Sequence, residues 1–147
     1  MRKALFAVCL LAGVTIPSAP SQARQISSFQ DEAKDLVMPW RFYKRLAQCE
    51  TAGNPKHSTR SYTGAFGMAR TTTFRWSGHR SVSHLSILAQ ARIADRVAWH
   101  GWTDNTGKYW WPVGPWGWGA IKKNCNNLQS FICRSPHPKV QKWKRGC

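Results

Sequence analysis

Between residues 40 and 50 the chain reads WRFYKRLAQCE, and Tyr43, Leu46, Ala47 and Glu50 recur at i, i+3, i+4 and i+7. That period predicts an amphipathic helix whose opposite face carries Arg41, Lys44 and Arg45, with Trp40 extending the apolar stripe one turn toward the start. Gly53, followed by Asn54 and Pro55, supplies the stop. Upstream, Phe29, Ala33, Leu36 and Val37 are loosely spaced among Asp31, Glu32 and Asp35, which predicts a short helix from about Ser28, capped by Ser27 or Ser28 and ending before Pro39. From Thr51 to Gly67 there is no helical period, and Tyr62 to Met68 reads as a small hairpin broken by glycines. Phe74, Arg75 and Trp76 before Gly78 predict another short helix.

The clearest helical stripe is Ile87, Ala91, Ala94, Ala98 and Gly101, within a helix expected from Ser83 as its cap to Gly101 as its end. Its alanines suit close packing, and the natural partner is the apolar face beneath Glu50. Trp102 and a polar turn lead into Tyr109-Trp110-Trp111-Pro112-Val113-Gly114-Pro115-Trp116-Gly117-Trp118-Gly119. Aromatics this dense, punctuated by Gly and Pro, either fold over the core or expose flat faces on which pyranose rings stack. A last short helix is expected over 126–133, and Arg134 to Cys147 is a basic tail without an acid, tied down by Cys147. The elements describe a mainly α, α+β domain with one short β-hairpin.

Glu50 is one of two glutamates in the chain. It shares a stripe with apolar side chains at the carbonyl end of a helix, surroundings that disfavour negative charge and suit a general acid. Asp95 falls one position past the Ala94 stripe, between Arg92 and Arg96, and reads as a solvated or ion-paired helix residue. The acids of the first helix are expected to pair with the basic surface.

Residues 1–23 begin with Arg2-Lys3, continue as an apolar block from Ala4 to Ile16, and end on small residues at Ser21 and Ala23. This is the pattern of a secretory signal cut after Ala23, too brief for a permanent anchor. The remaining 124 residues make one domain's worth of chain. They keep Cys49, Cys125, Cys133 and Cys147, expected as two disulfides with three connectivities open. Metal-ligand spacings are absent, so neither a metal nor a cofactor is expected. Without Arg2 and Lys3 the chain carries 20 basic against 6 acidic side chains, a net charge of +14, with nine tryptophans. Such a surface attracts polyanions. For an exported protein the partners at hand are the cell wall and its anionic polymers, not nucleic acid, and no sustained basic amphipathic helix argues for membrane insertion. A monomer in the cell envelope or secreted is expected.

Trp40, Ala47-Gln48-Cys49-Glu50, Thr51 and Gly53-Asn54 are followed by Tyr62-Thr63-Gly64-Ala65, Thr71-Thr72-Thr73, Gln90 through Ala94-Asp95, Gly101-Trp102 and Trp111-Pro112-Val113-Gly114. In order and approximate spacing these motifs resemble the resuscitation-promoting-factor-like transglycosylases and, more distantly, the lytic transglycosylases, both lysozyme-like. The resemblance runs from Trp40 to about Trp118. It implies a lysozyme-like fold, a transglycosylase domain over 40–120 between an N-terminal extension at 24–39 and a basic extension at 121–147, and Glu50 as the catalytic acid. It implies Thr72 and Gln90 as contacts to the glycan, and Tyr62, Trp102 and Trp111 complete the expected substrate-binding set. The chain departs from the family where a hairpin glutamine is replaced by Gly67, where the tryptophan after Ser-Thr is Thr73, and where the second cysteine is replaced by Gly114. Cys49 must therefore find another partner, for which Cys125 is placed after the same aromatic segment.

Cleaving a β-1,4 glycosidic bond needs at least one protonated carboxyl. Beyond the first helix the only other acids are Asp95 and Asp104, and the lack of a convincing second carboxylate fits the lytic transglycosylase route over hydrolysis. The competing expectation is a non-catalytic cationic wall-binding protein on the same scaffold, and a third is a membrane-active antimicrobial protein.

Overall fold

The computed structural model describes residues 33–104 and 106–147. Most of the upstream helix expected from Ser28 lies outside these residues. Its described end, 33–38, forms turns and bends, and Leu36, Val37 and Met38 are buried there without a helix. Asp35 pairs with Arg92 at 2.9 Å, as expected of the acids in this stretch.

Helix α1 spans Trp40–Thr51 and buries Phe42, Tyr43, Leu46 and Ala47. Pro39 sits at its N-cap, where the fixed φ and absent N–H cost nothing. The stop takes two left-handed residues, Ala52 at φ 53° and Gly53 at φ 76°, whose amides return to Ala47 and Gln48 carbonyls. Strands β1 (Tyr62–Thr63) and β2 (Met68–Ala69) form the expected hairpin, with Tyr62 opposite Ala69 and Thr63 opposite Met68. Helix α2, Arg70–Ser77, follows at once and ends on left-handed Gly78.

Helix α3 runs Ile87–Trp99, shorter than the expected 83–101 at both ends. Ser86, not Ser83, is its cap, accepting from the Ala89 amide at 3.2 Å, and the helix stops at His100 because that residue is extended. Ala91, Ala94 and Ala98 are buried, while Ile87 at the start of the predicted stripe is only half-buried. The polar turn after it closes a second hairpin, β3 (Trp102–Thr103) with β4 (Tyr109–Trp110). Asp104 organises it. One carboxylate oxygen accepts from the amides of Thr106 and Lys108 and the hydroxyl of Thr106, and the other accepts from the Trp110 indole. The bonds from Thr106 and Trp110 hold its carboxyl down at about 2.

The C-terminal part coils through α4 (Gly119–Lys122), α5 (Leu128–Arg134) and α6 (Pro138–Gln141). It is stapled by Cys49–Cys125 and Cys133–Cys147, one of the three pairings the sequence left open. Ile121, Leu128, Ile132 and Val140 are fully buried, so this stretch shares the core with α1 and α3. Phe42, Tyr43 and Leu46 of α1 face Ala94, Ala98 and Trp99 of α3 around one small void, closed by Trp118 and Ile121.

Asp95 departs from its expected place on the solvent side. It is 5% exposed and accepts from the Val37 amide at 2.9 Å, from the Tyr43 hydroxyl, and from His100 at 3.2 Å. The Tyr43 oxygen in turn accepts from the Trp99 indole at 3.1 Å. Arg92 is committed to Asp35 and the Arg96 guanidinium lies over the Trp102 ring. Position 95 is inward because the helix turns it toward Tyr43, a partner sequence spacing within α3 does not reveal.

Candidate active site

The penultimate residue of α1 opens onto a groove of about 550 Å³. Glu50 forms part of its wall, half-buried, with Oε1 accepting from the Ala120 amide at 2.9 Å. Cys49, the residue before it, is bonded to Cys125, so the end of α1 and the segment carrying Ala120 are joined twice within a few residues. Thr51 donates its hydroxyl to the Ala65 carbonyl at 2.7 Å, fixing the hairpin turn beside the acid.

That turn explains Gly67. It sits at φ 55°, and a Cβ there would lie 3.6 Å from Glu50 Oε2 and 3.7 Å from Glu50 Cβ. Any side chain at this position would start in van der Waals contact with the carboxyl, and the glycine leaves Oε2 without that neighbour. Tyr62, Met68 and Ala69 from the hairpin and Thr72 from α2 make the adjoining wall. Of the three consecutive threonines, helical spacing selects one: Thr73 turns inward and bonds the Ala69 carbonyl, Thr71 faces solvent, and Thr72 faces the groove.

The opposite wall comes from Val97, Val113, Gly117, Trp118 and Gly119. The amides of Val113 and Gly114 bond the Val97 and Ala98 carbonyls at 3.0 and 2.9 Å, so the aromatic segment is laid along the end of α3. Trp118 is buried and donates its indole N–H to the Phe66 carbonyl at 2.9 Å, bridging that segment to the hairpin. Gly114, where the resembled family has a cysteine, lies under the Trp143 ring, and a Cβ would meet that ring at 2.4 Å.

Of the residues expected to contact substrate, the groove brings together Glu50, Tyr62 and Thr72. Gln90 is elsewhere. It is fully buried, its Oε1 accepts from the Ala65 amide at 2.7 Å, and its Nε2 donates to the carbonyls of Pro55 and Leu85 at 3.0 and 2.9 Å. With no exposed surface and its amide fully engaged, it cannot touch a glycan, and its place is to hold the hairpin turn on α3. Trp102 is half-buried between Trp76, 6.1 Å away, and Arg96, outside the groove. Trp111 is 76% exposed and packs edge-on with Tyr109 at 4.9 Å, two residues from groove-lining Val113 but not itself in the wall. The other tryptophans of that segment cover the core, as one branch of the expectation had it: Trp118 is buried, and Trp110 and Trp116 are half-buried.

Sequence reasoning missed His57, which faces the groove from an aperiodic loop. It also missed the Ala120 amide, because a backbone donor leaves no side-chain signature. Among the described residues Glu50 is the only carboxylate in the groove wall and His57 the only imidazole, and no described lysine or arginine lines it despite the charge of the whole. Among the described residues no group of His, Cys, Asp or Glu is arranged to hold a metal, and no helix is long and apolar enough to cross a membrane. Comparison with protein-family models, curated proteins and solved structures returned no match.

Proposed function

We propose that this protein is a secreted peptidoglycan-cleaving enzyme of the lytic transglycosylase type, on a lysozyme-like scaffold, acting on the MurNAc-β-1,4-GlcNAc bond. The observation that carries the reading is Glu50: among the described residues the single carboxyl in the wall of an open groove, anchored through one oxygen by the Ala120 amide, with a glycine rather than a side chain beside the other.

The chemistry needs one group that gives and then takes a proton. The Glu50 carboxyl protonates the glycosidic oxygen as its bond to C1 of the muramyl sugar breaks. The 6-hydroxyl of that sugar closes on C1, and its proton passes to the Glu50 carboxylate, which regenerates the acid and leaves a 1,6-anhydro end. Water is not consumed. A hydrolase of this kind would ordinarily use a second carboxylate; Asp95 is committed to Tyr43 and Val37, and Asp104 to its own turn. Thr72 and Tyr62 are the groove's hydroxyls for the sugar, and Trp111, exposed and two residues along the chain from groove-lining Val113, is the stacking face.

The test is digestion of purified wall followed by mass spectrometry of the soluble fragments. Anhydro-muramyl ends are expected; fragments with reducing ends alone would retain a muramidase and discard the transglycosylase mechanism. A second reading, a cationic wall-binding protein without turnover, draws support from the net charge, +16 for the whole chain and +14 without residues 1–23, and from Gln90 and Trp102 lying outside the groove. Wild-type protein that sediments with wall yet releases no fragments would favour it.

A further inference from the structure

We propose that the outward face of α1, centred on Phe131, is a second binding site, for a linear polymer of repeating phosphodiesters. Arg41, Lys44 and Arg45 lie at i, i+3 and i+4 and are all exposed. Two of them are not free to wander. The Arg41 and Arg45 guanidinium carbons stand 5.4 and 5.1 Å from the Phe131 ring centroid, and Arg45 Nη1 also donates to the Asn126 carbonyl at 3.1 Å. Phe131 is itself fixed edge-on against buried Phe42 at 6.0 Å. A guanidinium held against a ring keeps its in-plane N–H groups for an anion and has less side-chain freedom to lose on binding.

Nothing among the described residues neutralises this face. Of the four described acids, Asp35 holds Arg92, Asp95 is buried, Glu50 is in the groove and Asp104 closes its own hairpin. Two preorganised forks one helical turn apart, with Lys44 between them, suit a chain of anions, and the planar fork matches phosphate oxygens in pairs. The one aromatic at the centre is half-buried beneath the guanidinium groups. It therefore gives bases no bare face to stack on, which favours a polyanion recognised by its backbone charge alone over a single-stranded nucleic acid. Glu50 belongs to the opposite stripe of the same helix, so a polymer held here leaves the groove open and tethers the protein to its surroundings. That such a polymer belongs to a cell wall rests on the proposed function; the surface itself does not.

The experiment is titration of the full-length mature chain with a linear glycerol-phosphate polymer across a salt series. Arg41→Gln with Arg45→Gln is expected to weaken binding on the order of 10-fold and to lower the salt slope by about two, while Lys56→Gln with Arg60→Gln, an equal loss of charge from an exposed loop, costs about 2-fold. Arg41→Lys with Arg45→Lys keeps the charge but removes the forks, and Phe131→Leu removes the platform; each is expected to lose several-fold, with thermal melts verifying the fold. Equal losses from the two neutralised pairs, or no loss from the lysine pair, would overturn the site. Duplex DNA binding more tightly with the same dependence on Arg41 and Arg45 would reassign it to nucleic acid. Glu50→Gln is expected to bind the polymer as wild type does, whatever the wall digestion yields, which separates this proposal from the enzymatic one.

Discussion

Glu50 and Ala120 stand 70 positions apart in the chain and are joined by one hydrogen bond of 2.9 Å, from the Ala120 amide to Glu50 Oε1. The bond aims the carboxyl along the groove, and it is indifferent to whether the side chain is an acid or an amide, since a glutamine oxygen accepts as well. Glu50→Gln should therefore remove the exchangeable proton without removing the anchor. Release of soluble fragments from wall is expected to fall at least 100-fold, in the range associated with losing a general acid, while the thermal midpoint stays within about 2 °C. Glu50→Ala, which also frees the Ala120 amide, is expected to lose stability as well as activity. Activity measured on Glu50→Gln within a few-fold of wild type would end the catalytic assignment.

Gln90 separates a positioning residue from a ligand contact. Its side chain joins three backbone groups, the Ala65 amide and the Pro55 and Leu85 carbonyls, and its oxygen lies so near Gly64 that a Cβ there would approach it to 2.6 Å. Replacing it with leucine leaves these groups unpaired in the interior, at a cost of about 1–3 kcal/mol for each that finds no water. Gln90→Leu is expected to lower unfolding free energy in urea by at least about 2 kcal/mol. A residue that merely touched sugar would instead weaken substrate binding and leave the urea midpoint unchanged.

The helices α1, α2 and α3 and the first hairpin were legible because each rests on local information: a 3.6-residue stripe, a glycine stop, or aromatics separated by glycine. Glu50 was legible for the same reason, as a charge on the wrong stripe. What escaped depends on contacts between distant segments. Asp95 looks solvated between two arginines until Tyr43 and Val37 arrive from another part of the chain. Gln90 looks like a ligand contact until the Ala65 amide meets it. The second hairpin depends on Asp104 bonding across its turn to the Trp110 indole, and a polar turn gives no period by which to foresee it.

The Asp95 network gives stability a pH dependence with two opposing parts. Burial pushes the Asp95 carboxyl above its ordinary 3.8, against the bonds from Tyr43 and Val37 and the nearby charges of His100 and Lys139. Burial also pushes His100 below its ordinary 6.5, with Asp95 pulling the other way and Lys139 adding to the fall. His100 Nε2 faces Asp95 while Nδ1 lies 3.0 Å from Lys139 Nζ, so the neutral Nε2–H tautomer satisfies both and a second proton would face an ammonium. For His100 the folded value is depressed: its contribution is present above pH 6.5 and is lost as pH falls. For Asp95 the folded value is raised: its contribution is present below pH 3.8 and is lost as pH rises. Unfolding free energies from pH 4 to 7 should show wild type losing ground to His100→Gln toward acid and to Asp95→Asn toward neutral. Parallel curves for all three proteins would mean that neither group titrates across folding.

The two disulfides should fail differently. Cys49–Cys125 spans 76 positions and Cys133–Cys147 spans 14, so loop-closure entropy assigns them about 4.5 and about 3 kcal/mol respectively. The difference in stability is small, but the difference in placement is not. The first bond lies beside Glu50 and holds the segment whose Ala120 amide aims the carboxyl, whereas the second closes the basic tail on α5. Paired replacement of Cys49 and Cys125 by serine is expected to reduce turnover as well as stability, even at temperatures where the protein remains folded. Paired replacement of Cys133 and Cys147 is expected to lower the melting temperature while leaving wall cleavage per folded molecule within about 2-fold of wild type, since the change in barrier would be under about 0.5 kcal/mol. Equal effects on turnover would mean that the groove depends on the tail as much as on the bond beside its acid.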